Sequence, residues 1–198
     1  MPASETVERE VRALCDAGDH AGAATAALRG YGPELYSFLA AIHRDDADDV
    51  FAEVSAKIWR GLPAFGWQSS LRTWAYVIAR NTSLTARTRG GREVPLAESE
   101  AEKLAVEVRT ATKTYLRTDA KTKFAEIRAA LPIEDQELLI LRVDRGLDWK
   151  ELAQTLAGAD LDDAALKREA ARLRKRFQVL KDKLLEAGRA AGLVGTRS

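Results

Sequence analysis

The sequence predicts an all-α protein of two small helical domains joined by a linker, the C-terminal one a helix-turn-helix. Three observations carry that reading. Apolar residues recur in steps of three and four along most of the chain, and alternating runs of β-branched residues are absent. The five prolines, Pro2, Pro33, Pro63, Pro95 and Pro132, fall where helices start or connections run. From about residue 88 the periodicity weakens into a Gly-Gly and Ser/Thr/Glu/Lys-rich stretch, and it resumes at Phe124. The chain of 198 residues therefore divides into residues 1–88, a linker at 89–118, and residues 119–198.

Taken in order, a first helix runs from about Glu5 to Asp16 and stops at Ala17-Gly18. Asp19 is suited to cap a second helix, ending near Gly30. Pro33 sits in the first turn of a third, where Leu35, Phe38, Leu39 and Ile42 form a buried stripe. A fourth begins around Asp46, with Val50, Val54 and Ile58 at four-residue spacing beside Phe51 and Trp59. The segment GLPAFGWQSS breaks the pattern, and a fifth helix follows from about Ser70. Its expected inward residues are Leu71, Trp74, Ala75 and Ile78, and its other face shows Arg72, Thr73, Tyr76 and Arg80. The linker holds at most a loose helix around Glu98 to Val108.

In the C-terminal half, Leu131-Pro132 opens a helix from about Glu134 to Arg145, closed by Gly146. Asp148 with Glu151 three residues on makes a capping box for a short helix carrying Trp149, Leu152, Ala153 and Leu156. The last helix starts near Asp162 and places Leu166, Ala170, Leu173, Phe177, Leu180 and Leu184 on one narrow face.

Composition narrows the function classes. Apolar residues make up 46% and charged residues 31%, a globular balance. No apolar run is long enough to cross a bilayer, and MPASETVEREV lacks a signal pattern, so a cytoplasmic protein is expected. Cys15 is the single cysteine, which excludes an internal disulfide or a cysteine metal cluster. His20 and His43 stand in unrelated contexts and no phosphate-cradling loop is present, so neither catalysis nor a cofactor is indicated. The acids Asp45, Asp46, Asp48 and Asp49 crowd a helix N-terminus, where the helix dipole favours them; they lack the alternating ligands of a calcium loop.

Charge is sorted along the chain although its net value is only +1. Asp45 to Glu53 holds five acids and no base, Gln68 to Arg92 five arginines and no acid, and Ala164 to Lys183 eight bases against two acids. The last block lies on the second helix of the helix-turn-helix, where arginine reads guanine edges and further cations neutralise phosphates. A basic helix packed on another protein is the competing reading. In the middle block Trp67, Trp74 and Tyr76 alternate with Arg72, Arg80, Arg87 and Arg89, a composition suited to stacking and gripping a single strand. Trp74, however, lies on the apolar stripe, where such a ring more often belongs to the core. Trp67, beside Gln68, Ser69 and Ser70, sits in a loop able to receive an extruded base.

These segments resemble the extracytoplasmic-function (group four) sigma factors of bacterial RNA polymerase, within the sigma-70 superfamily. DADDVFAEVSAKIWRGLPAF and SSLRTWAYVIARN look like the family's second conserved region; LPIEDQELLILRVDRGLDWKELAQTL and LKREAARLRKRF look like its fourth. The resemblance implies a factor, without enzymatic activity of its own, that binds core RNA polymerase and directs promoter recognition and DNA melting. By position, Asp46, Asp48, Asp49, Val50, Glu53, Val54 and Lys57 match the helix docking on the clamp helices of the largest polymerase subunit. Phe65, Trp67, Gln68 and Ser69 match the loop that captures a flipped base of the minus-ten element, and Arg72, Trp74, Tyr76, Arg80 and Asn81 the melting segment. Lys167, Arg168, Arg172, Arg174 and Arg176 match the helix reading the minus-35 element of promoter DNA. The first helix of the C-terminal domain would meet the flap of the second-largest subunit, and the family admits an anti-sigma factor as a further partner.

Some features depart from the family pattern. The turn AGADLDDAA is longer than usual and brings Asp160, Asp162 and Asp163 to the start of the reading helix, where they cap it but repel phosphate. Glu169 stands where a basic or polar residue is common, and WQSS replaces a Gly-Glu-Ser-Ser type of loop. The C-terminal domain taken alone also fits a helix-turn-helix transcriptional regulator that binds operators without joining polymerase.

Overall fold

A computed structural model describes residues 3–89, 100–116, 123–157 and 161–192, and among these every regular element is helical. Asp160 and the glycines and proline of the linker lie outside the described residues. The chain separates into two compact units, Met1–Arg117 and Thr118–Ser198.

In the first unit, helix α1 (Ala3–Asp16) ends where Gly18 takes a φ of 77°. That left-handed conformation costs glycine little. Asp19 caps the next helix, its Oδ1 accepting from the Gly22 N–H at 2.8 Å. Helix α2 (His20–His43) then runs unbroken through Gly30, Gly32 and Pro33, where the sequence suggests two helices. The glycines serve packing instead of a turn. A Cβ at Gly30 would lie 2.5 Å from Val7 Cγ1, and one at Gly32 2.8 Å from Val108 Cγ1. Each therefore admits a neighbouring helix at close range.

A short 3₁₀ turn (Arg44–Asp46) leads into α3 (Ala47–Gly61), and a second (Leu62–Ala64) leads out of it. Helix α4 (Leu71–Arg89) is capped by Ser70, whose Oγ accepts from the Thr73 N–H at 3.0 Å. Glu8 of α1 supplies a second acceptor, to the Leu71 N–H at 3.2 Å. The core of this unit centres on Leu28, Leu35, Phe38, Leu39, Phe51, Ile58, Leu71 and Tyr76, all at most 2% exposed. His43 Nε2 lies 2.7 Å from Ser83 Oγ and ties α2 to α4.

Helix α5 (Glu100–Leu116) falls inside the stretch read as a linker, and it is packed rather than loose. Ala101, Leu104, Ala105, Val108 and Thr112 are buried against α2 and α3. Those positions follow the i, i+3, i+4, i+7 spacing of a helix face, diluted by small residues.

The second unit contains α6 (Lys123–Ala129), α7 (Ile133–Leu139), α8 (Trp149–Ala157) and α9 (Asp163–Ala190). Helix α7 does not run on as an α-helix to Arg145. Residues Ile140–Asp144 form a π-turn, closed by an Arg145 N–H to Ile140 carbonyl bond of 2.9 Å, and Gly146 (φ 68°) turns the chain. The wider turn lets four consecutive residues, Leu138, Leu139, Ile140 and Leu141, all be buried. The capping box forms as expected. Asp148 Oδ1 accepts from the Glu151 N–H at 2.8 Å, and Glu151 Oε2 from the Asp148 N–H at 2.8 Å. Asp162 caps α9 through the Ala165 N–H at 2.6 Å. Leu166, Ala170, Leu173 and Leu180 face inward and are buried.

Candidate functional site

The sequence-selected residues gather on three surfaces, the first being the N-terminal half of α3. Asp46 and Asp49 are exposed there. Asp48 is engaged: its Oδ1 accepts from the Tyr36 hydroxyl at 2.8 Å, and its Oδ2 lies 2.6 Å from Lys113 Nζ and 3.8 Å from Arg109. Burial alone would raise the Asp48 carboxyl, but the hydrogen bonds from Lys113 and Tyr36 and the Arg109 charge outweigh it and hold the group below its ordinary value. Burial, reinforced by the hydrogen bond to Asp48, pushes the Tyr36 phenol up. Glu53 pairs with Lys57 at 2.7 Å and with Arg89 at 3.8 Å, and Lys57 also donates to Thr82 at 3.0 Å. Val50 and Val54 are 4% and 0% exposed and face the core, because the stripe they form with Ile58 is the one that packs. They shape the helix and do not present themselves to a partner.

The second surface is the loop Phe65–Ser70 with the start of α4. Trp67 holds a φ of 56°, a left-handed conformation rare for a large side chain, which stores roughly 1–3 kcal/mol of strain. Its surroundings hold it there. The Phe65 ring lies 4.9 Å away and the Arg12 guanidinium sits 5.1 Å over the indole. Trp74, half-buried, lies 4.8 Å from the Phe65 ring at a tilt of 31°, and fits because Gly61 has no Cβ to meet it. Gln68 is exposed and Ser69 half-buried. Arg72 makes a two-pronged pair with Glu34, both bonds 2.7 Å, and lies 5.5 Å over Tyr76. Tyr76, expected on the outer face, is fully buried and packs edge-on against Phe38. Thr73 is buried with it, so α4 is rotated from the orientation its tryptophan suggests. Arg80 and Asn81 are half-buried.

The third surface is the helix-turn-helix of α8 and α9. Lys167, Arg168 and Arg174 are exposed. Arg172 is paired within its own helix to Glu169 by bonds of 2.8 and 2.6 Å, leaving 63% of its side chain exposed. The Arg172 hydrogen bonds hold the Glu169 carboxyl low and raise the guanidinium in turn. Arg176 is drawn back to Asp135 of α7 at 2.6 Å, which braces the unit. Trp149, at the start of α8, is flanked by Arg142 at 4.7 Å and Arg174 at 5.7 Å, with Phe177 edge-on at 5.6 Å.

Comparison with known proteins bears on the segments that carry the first two surfaces. The model of Sigma-70 region 2 matches residues 27–93, a span that includes α3, the aromatic loop and α4. RNA polymerase sigma factor YlaC of Bacillus subtilis (strain 168) is 30% identical over 132 residues, covering 65% of this chain and 76% of that protein. The chain belongs to the extracytoplasmic-function sigma factors of the sigma-70 family. Two further relatives are similar over less of their length. The ECF RNA polymerase sigma-E factor of Haemophilus influenzae is 29% identical over 124 residues, 58% of this chain and 65% of the relative. ECF RNA polymerase sigma factor SigG of Mycobacterium tuberculosis is 41% identical over 61 residues, 31% of this chain and 16% of the relative. No solved structure matches.

Several side chains of this sigma factor that shape the surfaces carry no local signal in its sequence. Arg12 and Glu34 lie far along the chain from the tryptophan and arginine they hold, and Arg109 and Lys113 sit in the stretch read as linker. For Arg109 and Lys113 the helical spacing of α5 was the available clue.

Proposed function

We propose that this sigma factor docks on core RNA polymerase through the N-terminal half of α3, and reads promoter DNA with its aromatic loop and with α9. A sigma factor acts in transcription initiation, so core polymerase and promoter DNA are its partners. The finer assignment rests chiefly on one observation: Asp46, at the cap of α3, and Asp49 stand exposed while the other acids of that helix, Asp48 and Glu53, are paired. That acidic edge suits the basic, helical clamp of the largest polymerase subunit. The loop around Trp67 takes the flipped minus-ten base, with Gln68 and Ser69 at its edge and Arg72, Trp74, Arg80 and Asn81 alongside the opened strand. Lys167, Arg168, Arg172 and Arg174 face the minus-35 duplex, while Arg176 and Tyr76 serve as internal supports. Helix α7 meets the flap of the second-largest subunit, and an anti-sigma factor is a further candidate partner. The protein works in the cytoplasm and carries no reaction of its own; among the described residues no helix is long and apolar enough to cross a membrane.

Mixing the purified protein with core polymerase should give a complex stable to gel filtration that opens and transcribes a cognate promoter. Asp49→Arg should weaken that complex about tenfold or more by reversing charge on an exposed docking position. Absence of any complex with core enzyme would refute the assignment.

A further inference from the structure

Helix α5 lies against the helix that carries the acidic docking residues. Its seam is continuous: Ala101, Leu104, Ala105, Val108 and Thr112 are buried on α2 and α3, and Gly32 lets Val108 come close. At the far end of the seam, Lys113 and Arg109 bring two cations to Asp48, 2.6 and 3.8 Å from its Oδ2. Although α5 as a whole balances its acids and bases, Arg109 and Lys113 stand in its C-terminal part without an acid between them. That part offers Asp48 the positive charge assigned above to the polymerase partner of this part of α3. One of the acids in that set is thus already satisfied from within the chain.

We propose that α5 is an internal occupant of the polymerase-docking face, seated around Asp48 in the free protein and displaced when core polymerase binds. The inference rests on the assignment of α3 to polymerase docking. The seam is long but light in apolar side chains. Three of its five buried residues are Ala101, Ala105 and Thr112, so it buries little apolar volume for its length. The flanking Arg29–Glu107 pair, 3.5 Å apart with both side chains more than half exposed, adds little to hold it. The remaining sides of the bundle do not depend on α5, since α1 packs on α2, and α4 on both α2 and α3. Its departure would leave α1–α4 in place and free the Asp48 carboxylate beside Asp49, widening the acidic surface at the start of α3.

An occupant lowers apparent affinity by the fraction of molecules in which the face is open. Two variants and one wild-type measurement test this. Leu104→Asp with Val108→Asp breaks the apolar seam, and Lys113→Glu reverses only the ionic end. Fluorescence titration against core polymerase should show affinity tightened about tenfold by the first and a few-fold by the second. In the wild-type complex, backbone amides of α5 should lose protection from hydrogen exchange while those of α2 and α3 keep theirs. Unchanged or weaker affinity in variants whose α1–α4 amides stay protected would overturn the proposal, as would full protection of α5 in the complex. Binding by the opened variants alone would support it most strongly. Failure of every form to bind core polymerase would instead refute the docking assignment, and the displacement with it.

Discussion

Helices α3 and α9 each gather charge of one sign, and they treat it in opposite ways. On α3 the acids are largely spent inside the unit: Asp48 on Lys113, Arg109 and Tyr36, and Glu53 on Lys57 and Arg89, with Asp46 and Asp49 left exposed. On α9 the cations Lys167, Arg168, Arg174 and Lys175 stand exposed; of the five matched to DNA reading, Arg176 reaches back to Asp135 of α7, and Arg174 lies over Trp149 of α8 while staying open to solvent. A run of like charge in a sequence is therefore two different objects once folded. One is a network with a small exposed edge; the other is an open field suited to a polyanion, whose many phosphates reward many free cations.

The largest expected effect tests whether the two helices belong to separately folding units. Phe51→Ala removes a fully buried ring that packs edge-on against Tyr36 at 5.4 Å, and should cost the first unit about 3–5 kcal/mol. Hydrogen exchange should then show protection lost in α1–α4 and kept in α7–α9. Loss in both together would mean one cooperative body and would break the comparison.

A smaller effect separates supporting from reading cations on α9. Arg176→Ala should lower stability of the second unit by about 1 kcal/mol, since the Asp135 carboxylate loses its partner at a site open enough for solvent to compensate in part. Lys167→Ala should leave denaturant midpoints nearly unchanged, yet reduce promoter affinity and lower its salt dependence by about one ion. Equal stability losses from the two would erase the distinction.

The smallest effect concerns the Asp48 network on α3. Tyr36, Lys113 and Arg109 together hold this carboxyl below its ordinary value in the folded state, so its contribution to stability is complete above the usual carboxylate range. That contribution falls away as pH drops through and below that range. Thermal unfolding followed into acid should show it, and Asp48→Asn should flatten that part of the profile.

Much of this fold was legible because its signals are local. Asp19, Asp148 with Glu151, and Asp162 each bond the backbone within three residues, so a cap can be read without knowing what surrounds it. Gly30, Gly32 and Pro33 misled because a glycine that ends a helix and one that admits a neighbour look alike. The neighbours are Val7 and Val108, distant in sequence. Helix α5 was obscured for the same reason, its alanines burying a face without a strong apolar stripe. On the candidate surfaces, residue type pointed to the right segments. It did not separate Val50, Val54 and Tyr76, which are buried, from Asp49 and Lys167, which are exposed. Only packing decides which side of a helix faces out.

The π-turn at Ile140–Asp144 amounts to one residue more than an unbroken α-helix would need to cover the same stretch. It fixes the phase of everything after it. Deleting a single residue there would restore ordinary winding and swing the following chain by about 100° while shifting it by about 1.5 Å. Leu147 would leave its buried seat, and the Asp148 cap would point elsewhere. The aim of α8 and α9 is thus set by a count of residues in a helix that need not touch DNA at all.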